Sequence, residues 1–265
     1  MPLVSVDGKT YYKLQSSGEI LLLQVNKVLT TKESRFQRIE IVELSRYGRA
    51  LFLDGRLQST ESDEFIYHEV LAHPALLTHP EPKRVLLIGG GEGFTAREIL
   101  KHNTVKELIM VELDKDVVET CKSYMNDLNR EAYSDARLKI IFQDGLDYIE
   151  KYAGKPFDVI ILDLTDPLPS GSYMFYTCEF YKLLKRKAVF GEDSLLSTHI
   201  GRGWGKCEYT IRIFKALKHN FRVARIIGAW IPSFRNIWIF CIASDAYDPI
   251  QENNQTLYRK IVERG

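Results

Sequence analysis

The chain has 265 residues, and 36 Lys and Arg against 35 Asp and Glu give a formal net charge of +1. That balance excludes a chain built mainly to coat nucleic acid or anionic lipid, and 45% hydrophobic with 11% aromatic residues excludes wholesale disorder. No apolar run reaches the roughly 18 residues of a membrane span, the opening residues lack a basic-then-apolar signal, and Cys121, Cys178, Cys207 and Cys241 show no CxxC spacing, so the expectation is a cytoplasmic protein with free thiols.

The first sixty or so residues read as strands. Residues 20–25 are a short apolar run, and residues 38–44 (RIEIVEL) alternate polar and apolar, as a strand with one wet face does. Tyr47-Gly48-Arg49 and Asp54-Gly55 are turn signals flanking strands over 50–53 and 56–60. From Asp63 the period becomes helical, with Phe65, Ile66, Val70, Leu71, Ala75 and Leu76 on one spacing and Pro74 a kink or late break. Strands then alternate with helices: 85–88, 108–111, 138–142 and 157–162 as strands, 95–100, 117–125, 146–152 and 179–184 as helices. Strands apolar on both faces, joined by helices, predict a parallel sheet covered on both sides. Further strands are expected over 195–199, 224–229 and 237–243, the last two an antiparallel pair at one edge. The predicted fold is therefore α/β, with a small antiparallel β domain (residues 1–61) abutting a Rossmann-like domain (62–265) and no linker between them.

The chemistry concentrates at predicted strand ends. Gly89-Gly90-Gly91-Glu92-Gly93 follows a strand and opens a helix, which is nucleotide-site context or, without a ligand, a tight turn. Glu112 lies about 20 residues further on, where a carboxylate can accept from both ribose hydroxyls. Asp144, before Gly145, would reach an adenine amino group or else cap a helix. Phosphate normally sits on the helix behind such a turn. Glu92 there repels an anion and welcomes an ammonium, which favours a cationic adenosine ligand without a carboxylate. Asp163 and Asp166, three residues apart at the next strand end, suit an amine that must lose a proton before it can attack; Pro167 keeps Asp166 extended.

These residues resemble the polyamine aminopropyltransferases, the spermidine synthase superfamily, over nearly the whole chain. The carriers are Ser34-Arg35-Phe36-Gln37, the stretch LDGRLQSTESDEFIYHE (residues 53–69), the glycine turn, Val111-Glu112, Asp144-Gly145 and Asp163-Leu164-Thr165-Asp166-Pro167. The resemblance implies a methyltransferase-like Rossmann domain with an N-terminal β domain, assembled as a homodimer or homotetramer. It implies transfer of the aminopropyl group of decarboxylated S-adenosylmethionine to putrescine, agmatine or a longer polyamine, leaving 5′-methylthioadenosine. The donor is a co-substrate, and no cofactor, metal, nucleic acid or membrane is implied.

By that resemblance Asp163 is the proton-accepting residue. Gln37, Gly89, Gly91, Glu92, Glu112, Asp144 and Gly145 bind the donor, with Glu92 on its aminopropyl ammonium. Gln58, Tyr67, His68, Glu92, Asp163, Asp166 and Trp230 line the amine site, where His68 is either a neutral imidazole accepting from the amine or a structural histidine of its helix. Several positions depart from the common pattern. Glu92 and Phe94 stand for Asp and Gly, Leu164-Thr165 for two small polar residues, and residues 168–172 (LPSGS) where Gly-Pro-Ala is frequent. Of these, Glu92 and Leu164-Thr165, together with 176–181, 230–234 and Trp238, look more like the branch using agmatine or larger polyamines, including thermospermine synthases. His199 stands for a glutamine, facing the pocket or neutral in effect, and residues 201–206 are a lid or a plain surface loop. Two other readings fit part of the pattern. A small-molecule methyltransferase needs a site for the donor carboxylate, which Glu92 opposes, and a non-catalytic polyamine or nucleoside scaffold leaves the intact acidic set unexplained.

Overall fold

The computed structural model describes residues 3–16, 19–130, 132–166, 172–187, 189–205, 207–251 and 253–264. Pro167, the loop 168–171 and Lys206, which figure in the sequence expectations, lie outside the described residues.

Six strands come first: β1 (Leu3–Val6), β2 (Lys9–Ser16), β3 (Glu19–Glu33), β4 (Arg38–Leu44), β5 (Gly48–Leu53) and β6 (Arg56–Thr60). They pair in chain order as an antiparallel meander. β1 and β2 were not anticipated, and β3 runs far beyond its apolar start, where two register shifts against β4 interrupt the alternation of inward and outward residues. One face of this sheet packs on itself through Tyr12, Leu23, Val42, Leu44 and Phe52. On the other, Ile39, Ile41 and Leu51 meet Phe94, Val117, Cys121 and Met125 of the second unit. The two units thus share a core, with no linker between β6 and the helix α1 (Glu64–Thr78).

The second sheet is built from β7 (Arg84–Gly89), β8 (Glu107–Glu112), β9 (Leu138–Phe142), β10 (Phe157–Asp163), β11 (Phe190–Arg202), β12 (Val223–Ile231) and β13 (Asn236–Ser244). Its order is β12-β13-β11-β10-β7-β8-β9. β7 to β11 are parallel, and β12 and β13 form the expected antiparallel edge. α1, α2 (Phe94–Lys101) and α3 (Lys115–Tyr124) cover one face through Leu71, Leu76, Ile99 and Val118. α4 (Gly145–Lys151), α5 (Cys178–Arg186) and α6 (Glu208–Asn220) cover the other through Ile149, Phe180, Leu184, Ile213 and Leu217. The strands between are apolar on both sides because both sides are buried. α6 and α7 (Asn254–Arg264) were not anticipated. α1 continues through Pro74 to Thr78, whose hydroxyl donates to the Pro74 carbonyl. The four cysteines are free, and among the described residues no helix is long and apolar enough to cross a membrane.

From β7 the chain steps outward to β8 and β9, then returns to place β10 on the other side of β7. The order reverses between β7 and β10. In open α/β sheets ligands bind outside the carboxyl ends of the strands at such a reversal.

Candidate active site

β7 and β10 pair with Gly89 beside Asp163. A Cβ at Gly89, whose φ is +82°, would lie 2.1 Å from the Asp163 carbonyl oxygen. Only glycine permits that approach. The Gly90 N–H then donates to the same carbonyl at 2.9 Å, so the turn and the acidic strand end are locked to each other. Gly91 is required differently: its Cβ would stand 2.9 Å from an oxygen of Glu112, at the end of β8. The glycines therefore bring Glu92 of the turn and the strand-end carboxylates Glu112 and Asp163 around one crevice.

Asp163 is held by hydroxyls. Thr95 in the first turn of α2 donates to Oδ2 at 2.6 Å, and Tyr67 of α1 faces Oδ1 at 3.3 Å. The Tyr67 phenol keeps its proton, because burial and the neighbouring Asp163 push its pKa well above the usual value. Asp166, partly buried, belongs to the same neighbourhood, its charge acting on both Tyr67 and Tyr176. Glu112 takes the Asp114 N–H at 2.9 Å. Burial pushes its pKa up to about 7, the Asp114 N–H working against the shift.

Glu92 is buried and doubly bound: Ser59 of β6 donates to Oε2 at 2.7 Å and His68 Nε2 to Oε1 at 2.9 Å. His68 Nδ1 faces the Glu64 carbonyl at 2.6 Å and Glu64 Oε2 at 2.9 Å. Both ring nitrogens meet acceptors only, so both carry protons. Burial opposes that charge, but the bonds to Glu64 and Glu92 outweigh it and raise the pKa to about 10. Of the two expectations, the neutral imidazole accepting from an amine is thus corrected: His68 has no lone pair to offer. Arg97 of α2 grips Glu64 with two bonds of 2.8 and 2.9 Å and reaches Glu98 at 2.7 Å. Burial acts to raise the Glu98 pKa, yet His73, Lys101 and Arg97 bring it down to about 2. Glu69, His73 and Glu98 have ligand atoms within 4.8 Å of one another, but Arg97 and Lys101 already pair with Glu98, supplying the positive charge a metal would bring.

The remaining predicted residues distribute as follows. Gln37, between β3 and β4, donates to Asp114 at 3.0 Å beside a 2.6 Å bond from Ser34, which ties the N-terminal sheet to the end of β8. Asp144 caps α4, its Oδ1 accepting from the Leu146 and Asp147 N–H groups. Gly145 is packing-limited, since a Cβ would meet Ile88 at 2.7 Å and Phe175 at 3.0 Å. Gln58 sits at a bulge in β6 and donates to its neighbour Arg56. Trp230 stands apart, 56% exposed on the edge strand β12, whereas Trp238 is 6% exposed. Trp238 Nε1 lies 3.3 Å from His199 Nδ1, and His199 Nε2 lies 2.7 Å from both the Leu164 carbonyl and the Tyr176 hydroxyl. His199 therefore faces inward and supports the loop between the two aspartates. With Tyr67 and Phe234, ring centroids 5.0 to 6.4 Å apart, these residues form an aromatic wall.

Residues 64–254 match the spermine/spermidine synthase domain, and residues 10–61 match the spermidine synthase tetramerisation domain. The chain belongs to the spermidine synthase family. Among curated relatives, polyamine aminopropyltransferase 1 of Hyperthermus butylicus is 42% identical over 95% of this chain and 87% of its own length. The polyamine aminopropyltransferase of Pyrobaculum aerophilum is 40% identical over 92% and 84%. A crystal structure of spermidine synthase with the transition-state analogue AdoDATO superposes with a TM-score of 0.84 at 33% identity, covering 91% of this chain and 82% of that one. The Thermotoga maritima spermidine synthase gives a TM-score of 0.82, again at 33% identity, over 91% and 81%. The reaction class goes with the family: this is an enzyme of aminopropyl transfer.

Within that family frame, four contributors to the site escaped sequence reasoning. Thr95 and Ser59 are hydroxyls aimed at Asp163 and Glu92, and Glu64 and Arg97 are the ion pair behind His68. Ser59 and Glu64 had a readable signal, both lying inside the LDGRLQSTESDEFIYHE stretch, whereas Thr95 and Arg97 had none beyond following the glycine turn.

Proposed function

We propose that this crevice binds decarboxylated S-adenosylmethionine with Glu112 on the ribose, Asp144-Gly145 on the adenine, and Glu92 on the aminopropyl ammonium. Asp163 and Asp166 receive the amine acceptor. The acceptor nitrogen attacks the methylene beside the sulfonium. A C–N bond forms, the C–S bond breaks with its electron pair going to sulfur, and Asp163 takes the proton the nitrogen loses. The products are an extended polyamine and 5′-methylthioadenosine. Positioning and base catalysis suffice, because the sulfonium is already a good leaving group.

The observation that carries this reading is the placement of Asp163 at the β7–β10 reversal, with, among the described residues, hydroxyls of Thr95 and Tyr67 as the hydrogen-bond partners of its carboxylate. A carboxylate so placed is open to a cationic substrate. The aromatic wall of Tyr67, Tyr176, His199 and Trp238 suits a methylene chain between charged ends and supports agmatine or a longer polyamine as acceptor. The enzyme is read as a homodimer or homotetramer, supported by the tetramerisation-domain match and by exposed Ile20 and Leu22 on β3. A monomer by light scattering would refute this. The free thiols fit a cytoplasmic setting.

The deciding experiment supplies the donor with putrescine, agmatine, spermidine and spermine together and identifies the extended amine. Extension of agmatine or a triamine is expected. Extension of putrescine alone would overturn the acceptor reading. No extension, with no methylthioadenosine formed, would overturn the assigned reaction.

A further inference from the structure

His68 is 1% exposed and spends both ring N–H groups on Glu64 and Glu92. Ser59, brought in by the N-terminal sheet, binds the other oxygen of Glu92. A free glutamate has three side-chain torsions. Two bonds from opposite sides select one arrangement of them, and each carboxylate oxygen still has a lone pair for a ligand. Behind His68, the Glu64–Arg97 pair fixes the imidazolium in turn.

We propose that His68 is a positioning residue, a fixed imidazolium that with Ser59 holds Glu92 as the anchor for the donor's aminopropyl ammonium and makes no contact with the amine acceptor. This rests on the reading of Glu92 given above. Its consequence is an asymmetry between substrates: disturbing His68 harms use of the donor and leaves the acceptor's affinity alone. A second consequence concerns 5′-methylthioadenosine, which lacks the ammonium and so does not sense Glu92 at all.

The test is a double-mutant cycle of Glu92→Gln and His68→Gln, with Ser59→Ala as a third variant, reading KM for donor and acceptor separately and Kd for 5′-methylthioadenosine. Glu92→Gln is expected to raise the donor KM about 10- to 100-fold, the range for a lost charge-assisted bond. His68→Gln should raise the same KM, and the double variant should be no worse than Glu92→Gln alone. Ser59→Ala should shift the donor KM in the same direction by less, and it keeps the test available if His68→Gln does not fold. Methylthioadenosine should bind all variants equally. A raised acceptor KM in His68→Gln, multiplicative effects in the double variant, or an unaffected donor KM in Ser59→Ala would each overturn the positioning role. An unchanged donor KM in Glu92→Gln would instead remove Glu92 as the anchor, and the proposal with it.

Discussion

Two neighbouring groups of carboxylates are treated in opposite ways. Under the glycine turn, Glu92, Glu64 and Glu98 are each matched by a protein cation: His68, Arg97, Lys101. At the strand ends, Asp163 and Glu112 have hydroxyl and backbone N–H partners, and no protein cation pairs with them among the described residues. Burying unmatched negative charge is costly. The fold bears that cost at Asp163 and Glu112 and compensates Glu64, Glu92 and Glu98 from within the protein, Glu92 holding its imidazolium partner on one oxygen.

The largest effect that tests this contrast is Asp163→Asn. It should lower kcat by about 10²- to 10⁴-fold, the usual contribution of a positioned base, while 5′-methylthioadenosine binding by calorimetry stays intact. Normal turnover would remove Asp163 as the base and the contrast with it. On the scaffolding side, Arg97→Met should cost about 3–5 kcal/mol of stability, because Glu64 and Glu98 are left buried without their guanidinium. Denaturant unfolding measures this, and a loss below 1 kcal/mol would mean the network is not the support described.

The smallest effect sharpens the picture at Glu112. Its pKa is raised from 4.5 to about 7 in the fold. The stability this group contributes is therefore fully present below about 4.5 and lost as pH rises through about 7. A ribose donating to the carboxylate reverses the preference and favours the ionised form. Methylthioadenosine should bind about tenfold more tightly at pH 8 than at pH 6, and Glu112→Gln should abolish that dependence. A flat pH profile in the unaltered enzyme would count against ribose binding by Glu112.

The βα order and the family were legible because each rests on local signals: apolar strands, a glycine turn, acidic strand ends. What escaped has physical reasons. The far half of β3 is interrupted by two register shifts against β4, so its residues do not keep a strict period of two. Trp230 and Trp238 look equivalent in sequence, but on the edge strand Ala229 and Ile231 face the core and Trp230, between them, faces out. A neutral His68 stayed open in the sequence because its partners come from Glu64 on the same helix and Glu92 in a distant turn, and only the fold shows both at once. Asp144 has an N-cap role in the fold, the alternative its position before a helix had left open.

The contact between Gly89 and the Asp163 backbone works as a built-in gauge. The glycine turn and Asp163, the proposed base, belong to adjacent strands in fixed register, fastened by the Gly90 N–H. Drift of one relative to the other would have to break a sheet. The spacing between the glycine turn and Asp163 is thereby insulated from changes elsewhere in the chain, because it is set by sheet register and not by side-chain packing.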